Sequence, residues 1–303
     1  MASSLAVDYV QEMAVREAMF EHLAALVAFS SNGELRWDQT ESFEFAGETY
    51  AMRQVRGRGI HKPRQLAAAL SITTTSTGPY KDSIGEDGYP RYKYEGTDPA
   101  RSTNVALRTA MQHHLPLAYF LGVRRGVYQV VFPVYVRDED RAGHEFTITF
   151  SRADYGIDLA TLSAPERVYA ARMTKQRLHQ PIFRSQVLHA YSNSCAVCRL
   201  KHSELLDAAH IVGDAEDGGE PIVPNGLALC KIHHAAYDRY FIGITPTRVV
   251  KVNRRLLEEV DGPMLKHGLQ EMHDTTISAP RGRHTRPDPD RLSVKFEAFQ
   301  QAS

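Results

Sequence analysis

The 303 residues carry 36 Lys+Arg against 36 Asp+Glu, with 43% hydrophobic and 9% aromatic residues. That length forms one large or two ordinary domains and buries a substantial core. Balanced charge excludes a protein that coats nucleic acid through a global basic field, so a DNA partner would have to be held by local basic patches. No run approaches the roughly 18 apolar residues of a membrane span, and the opening residues lack the layout of a secretory signal. The expected location is cytoplasmic.

In chain order, residues 5–29 place Val10, Met13, Ala14, Ala18, Leu23, Leu26 and Val27 at helical intervals, which predicts an amphipathic helix. It either caps its own domain or pairs with a second copy. From about 35 to 150 the pattern changes to short strands. SFEFAGETYAMRQV reads as a hairpin turning near Ala46-Gly47, while LAYFLGV, VYQVVFPVYV and EFTITF are rich in β-formers. One helix, from about Ser102 to His113, interrupts them. Ser163-Ala164-Pro165-Glu166 fits a capping box, opening a helix that runs to His179 and stops at Gln180-Pro181. FRSQVLHAY gives another helix. Residues 281–289 read as an exposed loop before a last helix near Leu292–Gln300. The expected division is 1–32 (N-terminal helix), 33–160 (mostly-β domain), 161–190 (helical linker) and 191–303 (C-terminal domain).

The three cysteines, Cys195, Cys198 and Cys230, lie close together. An odd number in a long chain argues against a disulfide framework and for metal or redox chemistry. Cys195-x-x-Cys198 and Cys230-x-x-His233 repeat one spacing and together supply a tetrahedral Cys3His set for a structural zinc ion.

Inside this frame sit DAAHI (207–211), Asn225-Gly226 and His234. Here residues 191–245 resemble the HNH nuclease family, whose ββα-metal core sets two strands and a helix around one catalytic ion. The resemblance implies that His210 is the general base, that Asn225 fixes a loop or orients the imidazole, and that His234 faces a catalytic Mg²⁺ or Mn²⁺. Phosphodiester hydrolysis needs a base to activate water and a cation to offset charge on the phosphate. Many family members carry a metal-binding residue immediately before the base, where this chain has Ala209. Asp207 or Asp238 is the candidate replacement. Each also reads as an ordinary surface or supporting carboxylate, and Asn225-Gly226 as a simple turn.

The mostly-β domain contains PYKDSIGEDGYPRYKYEG (79–96) and RSTNVALRTAM (101–111), with Gly57-Arg58-Gly59-Ile60-His61 upstream. Together these resemble the SRA domain, a PUA-like β-barrel that binds DNA carrying modified cytosine. The resemblance implies a flipped base in a pocket, with Tyr80 and Tyr94 stacking on it and Asp82 accepting from the cytosine amine. Asp87 could take the carboxylate role but reads better as a turn residue, and Asn104 better as a helix cap than as a DNA contact. Arg53, Arg56, Arg58, Lys62, Arg64, Lys251, Arg254 and Arg255 are candidate phosphate contacts, above all Arg56, Arg58 and Lys62. A solvated basic face is the competing reading.

The expected whole is an α+β protein. An SRA-like barrel is joined by helices to a ββα-metal HNH domain with a structural zinc. It resembles bacterial type IV restriction endonucleases that recognise 5-methylcytosine or 5-hydroxymethylcytosine in double-stranded DNA, and a homodimer with the N-terminal helix as its interface is expected. The alternatives are an HNH nuclease with no dependence on modification and a zinc-stabilised DNA-binding module that does not cut.

Overall fold

The computed structural model describes residues 8–30, 33–54, 59–74, 83–85, 87–152, 167, 170, 174–214, 216–260 and 262–302. The expected capping box at 163–166 lies outside them. The chain divides into two compact units, Met1–His179 and Gln180–Ser303.

The first unit opens with α1 (Tyr9–Ala28), capped by the Asp8 carboxylate, which accepts from the backbone amides of Val10 and Gln11. Its buried face follows the apolar spacing in part: Leu23 is buried, and Ala18, Leu26 and Val27 pack against the core. Val15, Met19 and Leu23 are buried together with Glu12 and Arg16, whereas Val10 is 78% exposed. The two charges neutralise each other one helical turn apart, and each finds further partners. Arg16 Nε donates to the Pro116 carbonyl at 2.8 Å and Nη2 to that of Ala69 at 2.6 Å. Glu12 Oε1 accepts from the amides of Ala67 and Ala68 at 2.7 and 3.1 Å. The helix therefore caps its own domain and is riveted there by a buried ion pair.

The strands of this unit are β1 (Glu34–Arg36), β2 (Ser42–Phe45), β3 (Glu48–Ala51), β4 (Ile60–His61), β5 (Ser71–Thr74), β6 (Ser83–Ile84), β7 (Pro90–Lys93), β8 (Leu117–Arg124), β9 (Val127–Asp140) and β10 (Glu145–Thr149), with α2 (Ser102–Gln112) before β8. β2 and β3 form the expected hairpin. Ala46 and Gly47 at its turn both have positive φ (51° and 80°), as a tight type I′ turn requires. The main sheet runs β4-β5-β8-β9-β10-β7-β6, with β1 also on β9. The long β9 pairs with β8 through its first half and with β10 through its second. Among the described residues no pairing joins β4 to β6, and the strands described make a half-barrel sheet rather than the closed barrel expected.

One buried polar cluster anchors the second half of this sheet. The Tyr94 hydroxyl and the Arg108 guanidinium both donate to Glu139, Arg108 Nε at 2.7 Å. Burial alone would raise the Glu139 carboxyl, but Arg108 and then Tyr94 outweigh it and hold the group below its usual range.

In the second unit, α3 (Gln180–Ala190) is followed by β11 (Leu206–His210), β12 (Gly226–Cys230), α4 (Lys231–Asp238), β13 (Ile242–Ile244), β14 (Val250–Val252), α5 (Arg254–Glu258), α6 (Pro263–Gly268) and α7 (Pro289–Ala302). Gln180-Pro181 does not end a helix as expected. A wide helical turn over Lys175–His179 leads directly into α3, of which Pro181 is the second residue. Phe183, Val187 and Leu188 of α3 join Leu206, Leu227, Leu229 and Tyr237 in one core.

Two measurements test these restraints in the first unit. Arg16→Ala strands a buried carboxylate and should lower the unfolding free energy by about 3–5 kcal/mol in a urea titration. Because the Glu139 carboxyl is depressed in the folded state, its contribution is present above the ordinary carboxylate range and lost as pH falls through its lowered value. Thermal melts from pH 7 down to pH 3 should show the difference between wild type and Glu139→Gln shrinking on acidification. A constant difference would contradict the ion-pair assignment.

Candidate functional site

Cys195, Cys198, Cys230 and His233 converge, with their ligand atoms all within 4.8 Å of one another. Cys198 Sγ lies 3.9 Å from Cys230 Sγ, and His233 Nδ1 lies 3.1 Å from Cys230 Sγ and 3.7 Å from Cys195 Sγ. Tetrahedral zinc with 2.3 Å thiolate bonds separates its sulfurs by roughly 3.7 Å, so the set fits. Backbone conformation builds the knuckle: Arg199, at φ 62°, donates its amide to the Cys195 carbonyl at 3.0 Å. His233 Nε2–H donates to the Gly268 carbonyl at 2.8 Å, which leaves Nδ1 facing the sulfurs. Burial disfavours a charged His233, but Cys195 and Cys230 outweigh it and push its pKa up to about 10. That negative surrounding is what a divalent cation would meet in place of the proton. Among the described residues this is the only such converging group.

The sulfurs tie the knuckle to a ββα unit. β11 pairs antiparallel with β12, Leu206 opposite Cys230 and His210 opposite Gly226. Cys230 then caps α4. The helix thus begins at the metal ligand, and His234 follows His233 on the next 100° of its surface. His234 Nδ1 lies 3.5 Å from Asp207 Oδ2, and Nε2 lies 3.3 Å from Asp238 Oδ2. Both carboxylates proposed from the sequence therefore flank this imidazole, on opposite ring nitrogens. Asp207 is also held by Lys231 Nζ at 2.6 Å and approached by Arg184 Nε at 3.6 Å. Burial acts to raise the Asp207 carboxyl, but Lys231 and then His234 prevail and hold it below the usual range.

His210 ends β11, half-buried, with its ring stacked on Phe183 at 4.1 Å between centroids and 19° between planes. Asn225 is fully buried. Its Oδ1 accepts from the Val212 amide at 2.9 Å, and its Nδ2 donates to the carbonyls of Val212 and Glu220 at 3.0 and 3.1 Å. One side chain thus closes the loop between His210 and β12. Gly226 is extended, at φ −128°, and needs no turn conformation. A Cβ there would lie 2.4 Å from Val187 and 3.0 Å from Phe183, so glycine admits the helix that carries the ring under His210.

Neither Phe183 nor the Asp207 partners Arg184 and Lys231 stood out in the sequence. All three are ordinary helix residues, and only folding brings them to the strand.

In the first unit, Tyr80, Asp82, Arg56 and Arg58 lie outside the described residues. Tyr94 is a core residue, 1% exposed, with its ring 4.9 Å from Phe146 and its hydroxyl on Glu139. It offers no face to a flipped base. Tyr92 shares that buried face and donates to the Thr73 carbonyl at 3.0 Å. Asp87 is the turn residue expected, accepting from the Tyr89 amide and pairing with Arg91. Asn104 does not cap α2; it is buried and bonds Glu95 and Asp98, fastening the segment after β7. Several proposed phosphate contacts are already engaged. Arg53 is buried over the Trp37 ring, and Lys62 donates to the Pro63 and Leu66 carbonyls. Lys251 and Arg254 pair with Asp274 and Glu258.

Cys195→Ser should reduce bound zinc, measured by atomic absorption on the purified full chain, and lower the melting temperature together with it. A variant that keeps both values would remove Cys195 from the metal set.

No curated protein matches the chain. Among solved structures, it is similar to the modification-dependent TagI restriction endonuclease at 15% identity, covering 78% of this chain and 84% of that one with a TM-score of 0.29. It is also similar to the type IV phosphorothioation-dependent restriction endonuclease ScoMcrA at 16% identity, covering 59% and 47%, with a TM-score of 0.23. The family model for HNH endonucleases matches residues 195–245, the stretch that holds the thiolate cluster, both strands and α4. Residues 195–245 are an HNH endonuclease domain.

Proposed function

We propose that this chain is a modification-dependent DNA endonuclease. Its second unit hydrolyses phosphodiester bonds, and its first selects double-stranded DNA containing 5-methylcytosine or 5-hydroxymethylcytosine. The observation that carries the nuclease reading is the HNH match over a ββα unit in which Asn225 locks the loop behind His210. The selective part rests on the resemblance of segments 57–61, 79–96 and 101–111 to SRA domains. Tyr80 and Asp82 are its remaining pocket residues, since Tyr94 is committed to the core.

In this reading His210 accepts the proton of the attacking water, with Phe183 fixing its ring plane so that little reorganisation is needed. Asn225 positions the imidazole indirectly by holding the loop. His234 with either Asp207 or Asp238, which lie on its opposite ring nitrogens, offers an imidazole–carboxylate pair that could hold Mg²⁺ or Mn²⁺. Such an ion would offset charge on the phosphate in the transition state. The expected ends are 3′-hydroxyl and 5′-phosphate. Two copies would let one site per chain cut both strands. The buried face of α1 is spent within its own unit, so a dimer contact through α1 would use its exposed side, where Tyr9 and Val10 lie.

Matched methylated and unmethylated plasmids, incubated with Mg²⁺ or Mn²⁺, test both parts. The methylated substrate should be cut in preference, and His210→Ala should slow cutting about 10²–10⁴-fold at unchanged zinc content. Asp82→Ala should abolish the preference and spare cutting. Equal cleavage of both plasmids by wild type would favour an HNH nuclease without modification dependence, and binding without cleavage would favour a non-catalytic module.

A further inference from the structure

The second unit contains a pocket of about 630 Å³ whose lining includes Pro224, Arg248, Arg283, His284, Arg286 and Asp288. Its cations come from two places far apart in sequence. Arg248 ends the tight turn between β13 and β14, its amide donating to the Thr245 carbonyl at 2.7 Å. The others sit on the exposed turn before α7. Among the described residues none of these three arginines forms an ion pair. The one carboxylate in the lining forms no ion pair with them: Asp288 Oδ1 accepts from the amides of Asp290 and Arg291 at the start of α7. Nearby Glu220 is paired with Arg291 at 2.7 Å. Arg248 and Arg283 thus line a concavity without ion pairs, beside Arg286, whose Nε donates to the Pro280 carbonyl at 3.3 Å, an arrangement that favours an anion with several acceptor oxygens.

The pocket also adjoins the proposed chemistry. Pro224 immediately precedes Asn225, and the Asp288 amide donates to its carbonyl at 3.0 Å. Gly226, two residues on, is the strand partner of His210. Pro246, Pro287 and Pro289 stiffen the rim and offer apolar surface of the kind a deoxyribose packs against. We propose that this pocket seats a backbone phosphate of the DNA strand running past the end of β11, next to the bond that is cut. This deepens the nuclease reading and rests on it. It moves the phosphate contacts of the HNH domain away from Lys251 and Arg254, which are paired, to Arg248 and the turn at 283–286.

The test uses the full chain carrying His210→Ala, so that DNA is bound without turnover. Its affinity for a 20-base-pair duplex is measured by fluorescence anisotropy from 50 to 200 mM KCl. Adding Arg248→Ala and Arg283→Ala should weaken binding about tenfold or more at 100 mM KCl. It should also reduce the slope of log affinity against log salt by about 1, the loss of one phosphate contact. The matching double lysine variant should keep the slope, and zinc content should stay at the parent's value. If the double alanine variant does not fold, Arg283→Gln on the exposed turn reads the same slope. Unchanged affinity and slope in a folded variant would overturn the pocket while leaving the nuclease reading intact. A parent that binds no duplex at any salt would overturn both.

Discussion

The second unit depends on a cluster of three sulfurs and one imidazole nitrogen. A knuckle, a strand end and the first turn of a helix meet there, and the short β11–β12 hairpin has little apolar surface of its own with which to hold them. Joining Cys195 and Cys198 to Cys230 fixes where β12 ends, and including His233 fixes the rotation of α4. The carbonyl of Gly268 sets the ring's tautomer, so α6 takes part in the same restraint. His234 inherits that placement, which is why it meets Asp207, while Asp238 reaches it from one turn further along the same helix.

The opposite end of the hairpin is held by different means. There an amide side chain takes the part of the sulfur cluster, and a missing Cβ replaces bulk. Asn225 satisfies three backbone groups at once while fully buried, and Gly226 lets Phe183 and Val187 approach the strand. The imidazole of His210 is thus supported by a ring beneath it and a pinned loop behind it. These are the conditions a general base needs for its geometry to survive the arrival of a charged substrate.

Much of this was legible in the sequence, because short-range rules govern it. The repeated two-residue gaps announce the Cys3His cluster, Ala46-Gly47 announces a hairpin, and β-branched runs announce β8 to β10. The features that stayed hidden depend on contacts across the chain. Glu12 and Arg16 read as solvent-facing charges until each is seen to satisfy the other together with backbone groups at 67–69 and 116. Tyr94 alternates with Lys93 as an exposed aromatic strand would, yet its face is the core, since Phe146 and Glu139 close over it. Asn225-Gly226 has the letters of a turn, but its glycine answers to a helix about 40 residues upstream, roughly eleven turns of helical chain away. Arg248 and Arg283 belong to no local pattern at all. The Ile277 amide on the Arg248 carbonyl at 3.0 Å and the bridge of Val249 to Thr276, with Phe299 of the last helix seated on Gly243, bring their neighbourhoods together.

His233 and His234 are consecutive, yet one belongs to the sulfur cluster and the other looks towards the two aspartates. Each residue advances a helix by about 100°, so adding or deleting one position between Cys230 and His233 would swing His233 away from the sulfurs and His234 away from Asp207 in a single step. Point substitutions can damage one duty and spare the other, whereas a change of length cannot. Over this stretch the chain should tolerate altered letters far more readily than an altered number of them.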